Sequence, residues 1–436
     1  VTTQGSVRNI AAGRLLPRDG GFADNGLRLG GQWALTLDDV LRGKADLYRE
    51  SGDLSLAVEP RLPLDLRKVT VNMTAADSLV DVALDIDSGA MGTAAARLQT
   101  RLVRRDNSWL LPGEAPLTGN LSIDFKSLAW LRGLLPDLDR IDGQLAVRMQ
   151  AGGTVADPRL SGTITGDRIL LRAVGPGLDL RDGKLRAVLD GTRFRLDEFE
   201  LKAGKGRITA TGAAEFAGGL RSVDLQARAE HAQILLAPQW SAIIDGNGRL
   251  GFRDRRVTLD GKFSLDEGRY DLGSKRKPEL GSDVVLRSTK TESAAKTASL
   301  PIQLDIGIEL NDKLTVRGNG LDALLGGSLR ISSKGAGLSA IGDVRTVRGN
   351  YTVFGQQLEI ERGTVAFAGP LNDPGLDLRA IRKIQTVEVG VEVSGSLQRP
   401  SVKLVSVPDM SDTDRLAWLA LGRDPAGTDR AQMAVL

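Results

Sequence analysis

The stretch TVEVGVEVSGSLQRPSVKL, residues 386–404, places valine at 387, 389, 391 and 393, with Glu388, Gly390, Glu392 and Ser394 between them. Side chains of a β-strand point alternately to opposite faces, so this segment is a ribbon with one apolar and one polar side. The apolar side needs a cover, which can be a second sheet, a packed helix, or a molecule other than this chain. The alternation recurs along the sequence. Val80, Val82, Leu84 and Ile86 form one run, Ile302, Leu304, Ile306, Ile308 and Leu310 a second, and Val223, Leu225, Ala227 and Ala229 a third. Such runs, punctuated by Gly, Asp-Gly and Pro, predict an all-β, mostly antiparallel meander.

Composition agrees. Aromatic residues make up only 4% of the chain and glycine 52 of its 436 residues, well above the usual ~7%. Apolar area must therefore come from Val, Leu, Ile and Ala, which suits a long, turn-rich β structure. Lys plus Arg number 58 and Asp plus Glu 55, interspersed, for a net charge of +3. That is the pattern of a solvated face rather than a basic stripe with aromatic platforms, so no nucleic-acid partner is expected. There is no cysteine. No run approaches the roughly 18 apolar residues of a spanning helix, and no signal peptide opens the chain. The sequence starts at Val1 without an initiator Met, so it reads as a piece of something longer, with any membrane anchor outside it.

Three segments carry helical spacing: DDVLRGKADLYRE near 38–50, KSLAWLRGLLPDL near 126–138, and SDTDRLAWLALG at 411–422, with Ser411 or Asp412 as N-cap and Gly422 as C-cap. Internal repetition is also present. Gly175, Leu178, Leu180 and Gly183 share their spacing with Gly355, Leu358, Ile360 and Gly363. Gly261, Gly268 and Tyr270 match Gly342, Gly349 and Tyr351, and Gly153 with Pro158 matches Gly395 with Pro400. One hairpin-like unit is reused, and a stack of such units carries a continuous apolar stripe.

Enzymatic chemistry finds little footing. GNGRLG (Gly246, Gly248, Gly251) fits a dinucleotide pattern, but FRDRRVTLDGKF follows it and alternates like a strand where a helix is required, so the glycines read as a turn. His231 is the only histidine, so neither a multi-His metal cluster nor a Ser-His-Asp relay can be built, and it reads as a surface or strand residue. Carboxylate pairs such as Asp38 with Asp39 and Asp412 with Asp414 suit turns and helix starts. The basic triplet at 275–277 and the Ser/Thr/Ala/Lys-rich run 287–299 read as loop. Tyr351 and Phe354 either line a groove or pack between strands. No cofactor, metal or catalytic residue is expected, and the chain reads as non-enzymatic.

Four blocks then carry a resemblance: PLTGNLSIDFKSLAWLRGLLPDLDRIDGQLAVRMQAGGTVADPRLSG (116–162), LDIGIELNDKLTVRGNGLDALLGGSLRI (304–331), GNYTVFGQQLEIERGTVAFAGPLNDPGLDLRA (349–380) and VEVGVEVSGSLQRPSVKLVSVPDMSDTDRLAWLALGRDP (387–425). In content and order they resemble the C-terminal part of the TamB family, inner-membrane-anchored subunits of the translocation and assembly module, related to AsmA-like and bridge-like lipid transfer proteins. Family members continue beyond the LAWLALGR helix.

The resemblance implies a single sheet bent into a U-shaped, taco-like groove with an apolar concave face. It implies a periplasmic location and phospholipid movement between inner and outer membrane. It further implies support of outer-membrane and autotransporter protein assembly with a TamA-like barrel partner. The organisation it suggests is an N-terminal β-rich segment (1–115), repeated groove units (116–286), a flexible loop (287–299), a C-terminal groove (300–407) and a helix with tail (408–436). The expected groove lining, for lipid or client strand, is Val387, Val389, Val391, Val393, Leu358, Ile360, Val365, Phe367, Ile302, Leu304, Ile306, Ile308, Leu310, Leu314 and Val316. A scaffold holding unfolded outer-membrane strands without carrying lipid is the alternative.

Overall fold

The computed structural model describes residues 1–12, 22–56, 61–105, 108–135, 137–175, 177–216, 219–273, 302–334, 337–384 and 386–421. The chain is all-β, mostly antiparallel, with one short α-helix among these residues. It divides into two compact units, Val1–Leu225 and Gln226–Leu436.

The first unit contains β1 (Thr2–Ala11), β2 (Phe22–Leu37), β3 (Leu41–Leu56), β4 (Leu62–Pro63), β5 (Leu66–Ala76), β6 (Leu79–Ser88), β7 (Gly92–Arg101), β8 (Val103–Arg105), β9 (Ser108–Leu110), β10 (Thr118–Phe125), β11 (Arg140–Gly153), β12 (Pro158–Ala173), β13 (Leu178–Asp190), β14 (Arg193–Ala203) and β15 (Gly206–Phe216). Apart from the two-residue β4 and the separate β8–β9 hairpin, each strand pairs antiparallel with the next. The division falls within β16 (Leu220–Ala237).

The second unit continues with β17 (Trp240–Arg253), β18 (Arg256–Asp271), β19 (Ile302–Glu309), β20 (Leu314–Gly318), β21 (Leu321–Lys334), β22 (Gly337–Val353), β23 (Gln356–Pro370), β24 (Gly375–Ile384), β25 (Val387–Ser396), β26 (Arg399–Val407) and α1 (Asp412–Leu421). The meander has one departure here. β18 pairs in parallel with both β19 and β20, and these two short strands each pair antiparallel with β21. They behave as one strand interrupted at residues 310–313, where Asn311 and Asp312 take φ of 50° and 53°. The basic triplet 275–277 and the run 287–299 lie outside the described residues.

Of the three helical expectations, one fails. DDVLRGKADLYRE is largely strand β3, because Ala45 and Leu47 also fit a period of two and pair with Met73 and Val71. The second segment yields a single 3-10 turn, Ala129–Gly133, which ends at Gly133. The third is α1. Asp414 N–H donates to Ser411 Oγ at 3.2 Å while the Ser411 hydroxyl donates to the Asp414 carboxylate at 2.7 Å, a reciprocal cap. Gly422 lies outside the described residues.

The repeats are bulged strands. In β13 the ladder with β14 slips between Arg181 and Lys184, and in β23 the ladder with β24 slips between Ile360 and Arg362. One extra residue reverses which positions face which side. Leu180 and Gly183 therefore share a face although three apart, as do Ile360 and Gly363. The Gly and Pro of the third repeat are cross-strand partners at hairpin ends, Gly153 with Pro158 and Gly395 with Pro400. The glycines there sit at φ of 88° and 98°, where a Cβ would be strained. Within each unit the bulges recur, among others at β12, β13 and β14 in the first and at β18, β22 and β23 in the second.

Candidate functional site: an apolar sheet face

Directly paired residues of neighbouring strands lie on one face, so the registers can be followed as rows across a sheet. In the first unit one row runs Val7, Gly31, Leu47, Val71, Leu84, Ala96, Leu121, Met149, Gly162, Leu189, Phe194 and Ala214. The next row of the same face runs Val69, Ile86, Ala94, Ile123, Val147, Ile164, Ala187, Leu196 and Gly212. Neither contains a polar side chain. On the opposite face a row runs Ser6, Gln32, Asp46, Asn72, Ala83, Arg97, Asn120, Gln150, Ser161, Asp190, Arg193 and Glu215. The two faces thus separate completely along these rows.

The polar face is laced by side-chain contacts. Gln32 and Asn72 both donate to Asp46, at 3.1 and 2.8 Å. Asp179 accepts from Arg181 and, at 3.1 Å, from Arg172. The Arg181 hydrogen bond, then Arg172, holds the Asp179 carboxyl below its ordinary value of 3.8. A lowered folded value contributes stability that is present above 3.8 and lost as pH falls through the folded value. Asp46, Asp142 and Asp305 are shifted in the same direction. The thermal midpoint, followed by circular dichroism, should be flat down to about pH 5 and fall below about pH 4. A midpoint that rises on acidification would contradict these contacts.

In the second unit the rows bring the expected lining residues together. One row runs Gly246, Phe263, Ile308, Leu329, Gly342 and Phe367, and another Gly248, Gly261, Ile306, Ile331, Ala340 and Gly369. Val365 continues through Leu376 and Ile360 through Ala380 to Val391, while Val387, Val389 and Val393 share that face of β25. Leu314 and Val316 pair with Leu325 and Ala323, and Ile302 and Leu304 with Val257 and Leu259. Leu310 lies outside a strand, in the break before β20, and is buried.

The glycines of GNGRLG sit within β17, not in a turn. A Cβ on Gly246, Gly248 or Gly261 would stand 2.6, 3.4 or 2.7 Å from the Phe263 ring, so the ring lies across all three. Phe263→Ala removes that cover and should cost about 2 kcal/mol in a denaturant titration. A neutral result would show that the ring rests on nothing.

Most of this face is half-buried rather than sealed, including Leu84, Ile123, Met149, Ile164, Ile306 and Ile308. The largest fully buried side chains among the described residues are Leu358, Ile381, Leu419 and Val389. Three of these form one cluster, in which Leu419 of α1 packs on Leu358 and Val389, with Val353, Ala380, Ile384, Val391, Leu404 and Trp418 around them. Part of the valine face of β25 is therefore covered by the chain's own helix. Arg415 fixes that helix by donating to Ser406 Oγ at 3.1 Å and to Asp412 at 2.7 Å. Arg382, paired with Val389, places a charge on this face, where Ser406 of β26 also pairs with Val389. Its Nη1 is buried with no hydrogen-bond partner among the described residues.

A second constellation lies on another part of the second unit and was missed from sequence. His231 on β16 stands beside Asp245 of β17 and Asp266 of β18. Its spacing to them carries no motif, and only the β18 bulge brings Asp266 into place.

Among the described residues, each unit is a mostly antiparallel sheet with one apolar face that is half-buried rather than sealed. The chain belongs to the TamB family: a profile of the TamB C-terminal domain matches residues 195–435, and one of the TamB N-terminal domain matches residues 26–165. It is 25% identical over 325 residues to the translocation and assembly module subunit TamB of Haemophilus influenzae, an alignment covering 70% of this chain and 25% of that protein. The chain thus spans about a quarter of that relative's length.

No helix among the described residues is long and apolar enough to cross a membrane.

Proposed function

We propose that the apolar faces of the two units are binding surface for phospholipid acyl chains, and that the chain is a groove-forming, non-enzymatic part of a periplasmic conduit between inner and outer membrane. The observation that supports this is the unbroken apolar row crossing twelve strands of the first unit, from Val7 to Ala214. A scaffold gripping one client strand needs apolar pockets along a single edge. A path for an acyl chain needs them across every strand, because each charged gap costs several kcal/mol to desolvate. On this reading the conduit supports outer-membrane and autotransporter assembly in the whole protein, together with a TamA-like partner; the Haemophilus relative is named a subunit of a translocation and assembly module. Native mass spectrometry of the purified chain tests the reading. Phospholipid retained in roughly stoichiometric amount is the expected result; a lipid-free chain that binds unfolded outer-membrane strands overturns it.

A further inference from the structure

We infer that His231, Asp245 and Asp266 form a binding site for a divalent transition-metal ion that clips three successive strands together on the second unit. The three side chains each offer one ligand atom, and these atoms lie within 4.8 Å of one another. His231 Nε2 is 3.2 Å from Asp266 Oδ2, and His231 Nδ1 is 3.4 Å from Asp245 Oδ1. Ligands on bonds of about 2.1 Å stand about 3.0 to 3.4 Å apart at octahedral or tetrahedral angles; one ion takes only one ring nitrogen, so each nitrogen stands at neighbour distance from one carboxylate, and the remaining carboxylate completes a set of three ligand atoms within 4.8 Å. One imidazole with two carboxylates suits zinc, nickel or manganese rather than calcium, which takes oxygen alone.

Two features favour a cation over a plain ion pair. Asp266 Oδ2 is a buried oxygen that meets no donor in hydrogen-bonding geometry among the described residues, which is costly for a carboxylate left as it stands. The ligands are also braced. The His231 backbone N–H donates to Asp245 Oδ1 at 2.8 Å, with His231 held at φ 47°, which fixes one carboxylate from behind. Lys313 is the competing cation, with Nζ 3.7 Å from Asp266 Oδ1, but it approaches the other oxygen of that carboxylate. The imidazole is 76% exposed, free to swing either nitrogen onto an ion.

The probe is zinc chloride, with nickel as a second metal, added to the tag-free chain in chelator-free buffer. Because His231 is the only histidine, a ¹⁵N-imidazole spectrum reports on one residue. Calorimetry should show one ion per chain, with the imidazole resonances moving in step. His231→Gln, a surface change, and Asp266→Asn, an isosteric one, keep the strands paired and should weaken binding about tenfold or more. Lys313→Gln should bind at least as tightly as the parent. Absence of stoichiometric binding by the parent, equal binding by His231→Gln, or weaker binding by Lys313→Gln would each overturn the assignment.

Discussion

A chain carrying Ile306→Asp should fold like the parent and no longer retain phospholipid. Ile306 sits mid-strand in a row with Gly248, Gly261, Ile331 and Ala340, half-buried and with small neighbours on one side. Water can therefore reach a carboxylate there without emptying a packed core. An acyl chain of about fifteen CH₂ groups gains on the order of 12 kcal/mol by leaving water. It loses several of these where it must strip an unpaired carboxylate. The corresponding change at Val391 is less clean, because Val391 packs against the cluster beneath α1, where a charge would disturb folding as well as lipid. Circular dichroism and native mass spectrometry of the Ile306→Asp chain decide the matter. Lipid at the parental level, with only client assembly impaired, would favour the strand-holding scaffold. A failure to fold would place Ile306 in a closed core.

Leu358→Ala has the largest expected effect on stability, about 3 kcal/mol. Leu358 is 0% exposed and lies under Leu419 of α1 beside Val389. Truncation leaves a cavity that the paired strands cannot collapse into, since β23 is held on both sides by β22 and β24. The helix should loosen with it. Its own contacts are few beyond this cluster and the Arg415 anchor to Ser406, and a ten-residue helix is marginal alone. Denaturant unfolding followed by tryptophan emission, in a chain whose Trp33, Trp109, Trp130 and Trp240 are replaced by Phe so that only Trp418 reports, should show α1 releasing before the strands. A loss below about 1 kcal/mol would mean that α1 is not docked as described.

The fold was legible because its signal is local. Strict alternation at Val387 to Val393 or Ile302 to Ile308 says strand and also says which side chains share a face. The bulges were half legible: they appear in sequence as repeats such as Leu178, Leu180, Gly183, but the extra residue that makes Gly183 share a face with Leu180 shows only in the ladder. The DDVLRGKADLYRE segment misled because Ala45 and Leu47 satisfy both periodicities, and pairing with β5 settles the choice. Of the candidate site, the shared face of the lining residues followed from alternation. The helix over Val389 and Leu358 did not, since the cap at Ser411 announces a helix without saying what it docks on. The grouping of His231 with two aspartates was invisible, because it depends on register between three strands.

The row from Val7 to Ala214 also acts as a ruler. Strands lie about 4.8 Å apart, so eleven steps make a continuous apolar track of about 53 Å. Its length is set by how many strands are counted off, and its width by how many rows each strand supports. Inserting one hairpin would lengthen the track by about 10 Å while leaving both faces unchanged, because two added strands restore the direction of the chain. An odd strand would force a parallel crossover of the kind seen at β18 and β19. A protein that must reach a fixed distance can therefore be fitted to it by duplicating hairpins, and the spaced Gly–Pro pairs at 153 and 158 and at 395 and 400 are where such copies would join.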